Sequence, residues 1–179
     1  MSLHVWRHPK PIGAAGLCVG RTDLPVDRRK SKRLAHRIRA QARRHSLPRC
    51  VVTSRLQRSA AVGRLLARWG WRHTVDPRLD EFDFGDWDGR PWAEIAADEL
   101  NAWGRDFAAY RAGGGESVSA LLERCGEFIA EGSAAGDRCV VGHAGWISAA
   151  RWRQASGGDM PLSSTWPAAV AYGRKVTLG

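Results

Sequence analysis

The sequence predicts an α/β fold, a three-layer α/β/α sandwich on a mainly parallel central sheet. Short apolar or β-branched runs alternate with longer segments of helical periodicity, the order that gives crossover connections and a sheet covered on both faces. No repeat or low-complexity linker divides the 179 residues, so a single domain over 1–179 is expected. Three of the strand-like runs also end in polar residues: Arg7 with His8, then 54–58, then His143. Carboxyl ends of parallel strands share one rim of the sheet, and ligands of open α/β sheets collect just beyond it.

Taken in order, the first strand is "LHVW", ending at Trp6 because Pro9 and Pro11 cannot continue a ladder. The Gly- and Pro-rich loop "PKPIGAAGLCVGRTDLPV" leads into a basic helix from about 29 to 44. There Leu34, Ile38 and Ala42 recur at i, i+4 and i+8 with almost everything between them basic, an amphipathic helix with a solvated cationic face. "CVVT" at 50–53 has the length and branching of a buried strand. A second helix carries Ala61, Val62, Leu65, Leu66 and Trp69 on one face, with Gly70 placed to cap its end. "WRHTV" forms another strand before the acidic, aromatic loop "DPRLDEFDFGDWDGRP". The pattern from 92 to 110 is imperfectly helical and stops at the glycines 113–115, so 92–116 is expected to be a small helical cap. Ser117 caps an amphipathic helix bearing Val118, Leu121, Leu122, Cys125, Phe128 and Ile129. "RCVVGHAG" is a strand leaving into 142–145, a helix follows through Trp152, and a last strand lies near "AAVAYGRKVTL".

Hydrophobic residues make up 44% and charged residues 26% of the chain, ordinary values for a globular protein. No run approaches the roughly 18 apolar residues of a membrane span. Arg7 and His8 interrupt any signal-peptide reading, and a cytoplasmic location is the expectation. Cys18, Cys50, Cys125 and Cys139 are far apart and lack metal-ligand spacing, so they read as reduced, partly buried thiols, with no metal and no cofactor expected. The net charge of +10 is concentrated in the basic helix. Without a zinc finger, helix-turn-helix or aromatic strip beside it, nucleic-acid binding is only a remote alternative. Attraction of small anionic substrates is another use of the same field.

Each polar cluster alone has an ordinary reading: a surface pair capping an edge strand for Arg7 and His8, a hydrogen-bonded structural histidine for His143, a helix-start surface residue for Arg58. Together they describe a pocket of two arginines, two histidines and a carboxylate. Arginine forks match phosphate oxygens. A histidine beside them is disfavoured as a cation, which leaves a neutral imidazole free to attack phosphorus.

Four segments carry a family resemblance: "RHP" at 7–9, "TSRLQRSAAV" at 53–62, "LDEFDFGDWDG" at 79–89 and "VVGHAG" at 140–145. In this order and spacing the chain resembles the histidine phosphatase superfamily, the phosphoglycerate mutase-like fold. The resemblance implies His8 as phosphoryl-accepting nucleophile, Arg7 and Arg58 as holders of the phosphoryl oxygens, His143 as the far wall of the pocket and Glu81 as general acid and base. Asp80, Asp83, Asp86 and Asp88 are rival carboxylates in the same loop. Two departures stand out: Pro9 occupies the usual glycine position, and the asparagine found several residues on is missing, so Arg21, Thr22 or backbone N–H groups of the glycine loop are expected to replace it.

The wording is most similar to bacterial α-ribazole phosphatases, which implies hydrolysis of α-ribazole 5′-phosphate in cobalamin nucleotide-loop assembly. A broad-specificity or phosphoprotein phosphatase is the alternative. The implied partner is a small phosphorylated substrate, phosphate or sulfate is an expected occupant, no membrane is involved, and the assembly is a monomer or homodimer. Trp92, Trp103 and Phe107 are packing residues or an aromatic lid over a base-like leaving group.

Overall fold

The computed structural model describes residues 2–132 and 136–179. Its centre is a five-stranded sheet in the order β3-β2-β4-β1-β5. The strands are β1 (Leu3–Arg7), β2 (Cys50–Thr53), β3 (Arg72–Val75), β4 (Arg138–Gly142) and β5 (Lys175–Leu178). The first four run parallel, and β5 pairs antiparallel with β1 at one edge, so the mainly parallel sheet is borne out.

Alternation along the strands divides the core in two. Trp6, Cys139 and Val141 join one cluster with Leu34, Ile38, Val62 and Leu66 from helices α1 (Arg28–Arg44) and α2 (Gln57–Ala67). Leu3, Val5 and Val140 join the other with Phe128, Trp146 and Ile147 from α4 (Val118–Gly132) and α5 (Ala144–Ala155). The sheet is thus the middle of three layers. No helix among the described residues is long and apolar enough to cross a membrane.

Several boundaries differ from the sequence expectation. β1 extends past Trp6, since Arg7 still pairs with Gly142 and its N–H donates to the Arg174 carbonyl at 3.0 Å. The strand thus ends at Arg7, one residue later than expected and two before Pro9. α2 ends at Ala67, before Trp69, and closes as a Schellman motif: Gly70 adopts φ 81° while the Trp71 N–H reaches the Leu66 carbonyl at 3.2 Å. The last strand is short. Residues 168–174 instead turn back over the end of β1, where the Gly173 N–H donates to the Arg7 carbonyl at 2.9 Å.

The segment 92–116 is broken into a single 3₁₀ turn at Trp92–Glu94, helix α3 (Ala97–Arg105) and another turn at Ala112–Gly114. Gly113 lies at φ 58° against the 84–87 turn, where a Cβ would stand 2.1 Å from the Phe84 carbonyl oxygen. Trp103 stacks on Phe107 at 5.5 Å and meets Phe82, Phe84 and Trp87 at 5.8–6.3 Å. These rings form a packed aromatic cluster, with Trp92 edge-on to Phe84 at its exposed margin.

Candidate active site

Adjacent strands bring the two histidines together. Because Arg7 is opposite Gly142 in the β1–β4 register, the next residues, His8 and His143, leave the sheet side by side with ring centroids 4.8 Å apart. β2, on the far side of β4, delivers Ser54 and, one helical turn later, Arg58. His8, His143, Ser54, Arg58 and Glu81 are all buried, so distant segments do converge at the carboxyl rim.

His8 Nδ1 lies 2.7 Å from the Pro9 carbonyl oxygen. A carbonyl only accepts, so Nδ1 carries the proton and Nε2 presents a lone pair. The feature used at position 9 is the carbonyl, which proline retains. Burial, then the charges of Arg58 and Arg7, holds the His8 pKa well below its usual 6.5, opposed only by the Pro9 hydrogen bond. His143 shares a 2.7 Å hydrogen bond between Nε2 and the Ser54 hydroxyl, and its buried Nδ1 has no protein partner. Burial and then its neighbour His8, Arg58, Arg124 and Arg7 press its pKa down as well. A neutral imidazole pair is the result.

Arg58 enters the interior from the first turn of α2. Its Nη1 donates to the Thr22 carbonyl at 2.7 Å and its Nη2 to the Gly20 carbonyl. Burial disfavours its charge, while Glu81, Asp23 and Asp88 support it. Asp88 builds the glycine loop that Arg58 grips, accepting the N–H groups of Gly20, Arg21 and Thr22 at 3.1, 2.5 and 3.0 Å. Arg7 lies at the rim. Its Nη1 donates to the Val170 carbonyl at 2.7 Å, its guanidinium rests 3.7 Å over the Tyr172 ring, and its buried Nε is unpartnered. Tyr172 itself stands 5.6 Å from the His8 ring.

The carboxylates of the acidic loop have separate positions. Asp80 takes the Arg55 backbone N–H at 3.1 Å and its guanidinium at 2.5 Å. Asp83 pairs with Arg21 at 3.1 Å, so Arg21 directs its guanidinium to the acidic loop, and Asp86 is exposed. Glu81 sits at the start of α5, accepting N–H groups of Phe82, Gly145 and Trp146 at 3.0, 3.2 and 3.3 Å, a favourable seat for a carboxylate. Gly145 permits this approach, since a Cβ there would fall 2.6 Å from Glu81 Oε1. Arg124 fixes the loop from behind. It donates to the carbonyls of Arg78, Asp80 and Glu81 at 2.8, 2.7 and 3.2 Å and pairs with Glu116. Sequence reasoning missed Arg124 and Tyr172, and placed Ser54 in the 54–58 cluster without giving it a role. A lone cation in an amphipathic helix, a strand-end serine and a C-terminal tyrosine carry no distinguishing signal.

The cysteines are free thiols, with burial pushing Cys18, Cys125 and Cys139 up to about 12, so these three are protonated and inert. Among the described residues no cluster of His, Cys, Asp and Glu is placed to hold a metal ion.

The histidines make stability pH-dependent. An unfolded chain takes up protons at His8 and His143 near the ordinary 6.5, while the native site resists them. Their depressed pKa values therefore contribute stability that is present above about pH 6.5 and lost below it. Unfolding free energies from urea titrations between pH 8 and 5 should stay level and then fall below pH 6.5, by up to roughly 1.4 kcal/mol per pH unit for each histidine. His4 and His73, lowered first by burial, act in the same direction. A flat profile between pH 7 and 5 would contradict this linkage.

A family model described as the histidine phosphatase superfamily (branch 1) matches residues 3–173. The α-ribazole phosphatase of Shigella flexneri is similar in structure at a TM-score of 0.77 and 25% identity, covering 99% of this chain and 89% of that one. A mycobacterial glucosyl-3-phosphoglycerate phosphatase solved with VO3 is similar at a TM-score of 0.80 and 25% identity, covering 99% and 92%. No curated protein sequence matches the chain significantly.

Proposed function

The chain belongs to the histidine phosphatase superfamily and is a phosphatase; from that premise we propose that it hydrolyses phosphomonoesters through a phosphohistidine at His8. The observation that carries the reading is the His8 tautomer. With Nδ1–H held by the Pro9 carbonyl, the Nε2 lone pair is free beside His143 at the strand rim.

In this reading Nε2 attacks phosphorus as the ester P–O bond breaks, and Glu81, entering the step as the carboxylic acid, gives its proton to the departing alkoxide and is left as the carboxylate. Arg58 and Arg7 neutralise the equatorial oxygens, and the neutral His143 donates a hydrogen bond to one of them. When the Ser54 hydroxyl donates to His143 Nε2, the proton of His143 lies on the otherwise unpartnered Nδ1, available to a phosphoryl oxygen. Water then attacks the phosphohistidine, Glu81 takes its proton, the P–N bond breaks and His8 regains its lone pair. Arg21, paired with Asp83, joins the phosphate only by leaving that partner, whereas Thr22 and the Gly20 loop are held next to Arg58.

Among substrates, α-ribazole 5′-phosphate in a cytoplasmic cobalamin nucleotide-loop step is the reading favoured by the four motifs and the Shigella likeness. Likeness to the mycobacterial sugar-phosphate enzyme supports broader specificity as the alternative. Steady-state kcat/KM over α-ribazole 5′-phosphate, sugar phosphates, nucleotides and a phosphopeptide separates them. A clear maximum on α-ribazole 5′-phosphate is expected, and comparable values across the panel would favour the broad enzyme. Glu81→Gln should lower kcat by about 10²- to 10⁴-fold with a much smaller change in KM, as loss of a general acid does. Equal losses in binding and turnover would remove Glu81 from the proton-transfer role.

A further inference from the structure

A second hollow adjoins His8. Pro9 and Tyr172, which touch the His8 imidazole by hydrogen bond and ring contact, also line a groove of about 440 Å³ whose opposite wall is α1. Lys10, Lys30, Arg33, His36 and Arg37 line it, largely with the apolar stems of the four exposed cations, and no carboxylate lines it. Lys30, Arg33 and Arg37 recur at i, i+3 and i+7, so they share one helix face. Among the described residues none of the four has an ion-pair partner. Arg37 is admitted closely: Gly173 turns there at φ 69°, and a Cβ on it would stand 2.5 Å from Arg37 Nη2.

Two physical features favour a counterion beside this cluster of exposed cations. Four like charges around one hollow repel one another. The first turn of α1 holds Arg28, Arg29 and Lys30, cations at the positive end of the helix dipole, against the single carboxylate of the Asp27 N-cap, which accepts the Arg29 N–H at 2.7 Å. An anion in the groove relieves both. The groove volume lies in the range of small-ligand sites, and its cations are long side chains able to close on a phosphate.

We propose that this groove is a second-anion subsite, so that the enzyme prefers phosphomonoesters bearing a further phosphate group over those bearing one. The preference rests on the phosphomonoesterase reading, with Tyr172 as the ring between the reacting phosphate and the second one. The probes are adenosine 3′,5′-bisphosphate against adenosine 5′- and 3′-monophosphates, with p-nitrophenyl phosphate as a substrate lacking any second anion. Wild-type kcat/KM for the bisphosphate should exceed that for either monophosphate by about tenfold or more, mainly through KM. In a Lys30→Gln, Arg33→Gln, Arg37→Gln variant that ratio should collapse towards about one. Equal wild-type values for bisphosphate and monophosphates, or a ratio unchanged in the triple variant, would overturn the proposal. Calorimetric binding of the same nucleotides to His8→Ala, with and without the three substitutions, reads the groove without turnover. Bisphosphate binding no tighter than monophosphate there overturns the subsite, whereas lack of p-nitrophenyl phosphate hydrolysis by the wild type speaks only against the phosphatase reading.

Discussion

His8→Ala should abolish turnover, with kcat reduced by at least about 10⁴-fold, as for the loss of a covalent nucleophile. Alanine removes the Nε2 lone pair beside His143, and the buried thiols of Cys18, Cys125 and Cys139, held protonated, offer no substitute nucleophile. The fold should survive, since His8 follows the last β1 pair and its side chain bonds only the adjacent Pro9 carbonyl. Rapid quenching of the wild type with a labelled substrate should trap a phosphate that is labile in acid and stable in base, and the variant should trap none. Full turnover in a purified His8→Ala protein would end the nucleophile assignment.

Substitution of Arg58 should damage chemistry and stability together. Arg58→Met keeps the length but leaves the Gly20 carbonyl without its donor, the Thr22 carbonyl with the Leu24 N–H alone, and Glu81 without its buried cationic neighbour. A fall in kcat/KM of about 10³-fold is expected for the lost phosphoryl contact. Stability should drop by roughly 2–4 kcal/mol for the stranded polar groups, lowering Tm by about 6–12 °C in a chain of this size. Lysine at the position should recover little, because a single ammonium cannot reach two carbonyls and a phosphate in the fixed fork of arginine. A Tm within 1–2 °C of the wild type would show that the loop does not depend on this grip.

Much of the sheet was legible because its signals are local. "CVVT", "RCVVG" and "LHVW" are short, branched and apolar, and the helices between them carry their own period. Errors fell where tertiary contacts override that pattern. "AAVAYGRKVTL" looks like one strand, but only Lys175–Leu178 pairs with β1, because Gly173 turns the preceding segment over the site. The 92–110 stretch is broken because Pro91 and the extended residues around Ile95 limit helix to Ala97–Arg105.

For the site, motif order pointed to the residues brought together at the rim, and geometry supplied what spacing lacks. Glu81 stands apart from its rival carboxylates because the N-terminus of α5 meets it, a contact 64 positions apart in sequence. Arg21 and Arg58 look alike on the page. Only side-chain direction separates the one held by Asp83 at the surface from the one buried against two carbonyls. Pro9 looked like a defect because its missing N–H is visible in the sequence and its carbonyl is not.

The pairing of Arg7 with Gly142 ties catalytic competence to correct folding. Sliding β1 by one position against β4 would send Trp6 and Val5 into the wrong layers, so the register that aligns the imidazoles is also the one that buries these side chains. On refolding, specific activity should therefore return together with burial of Trp6.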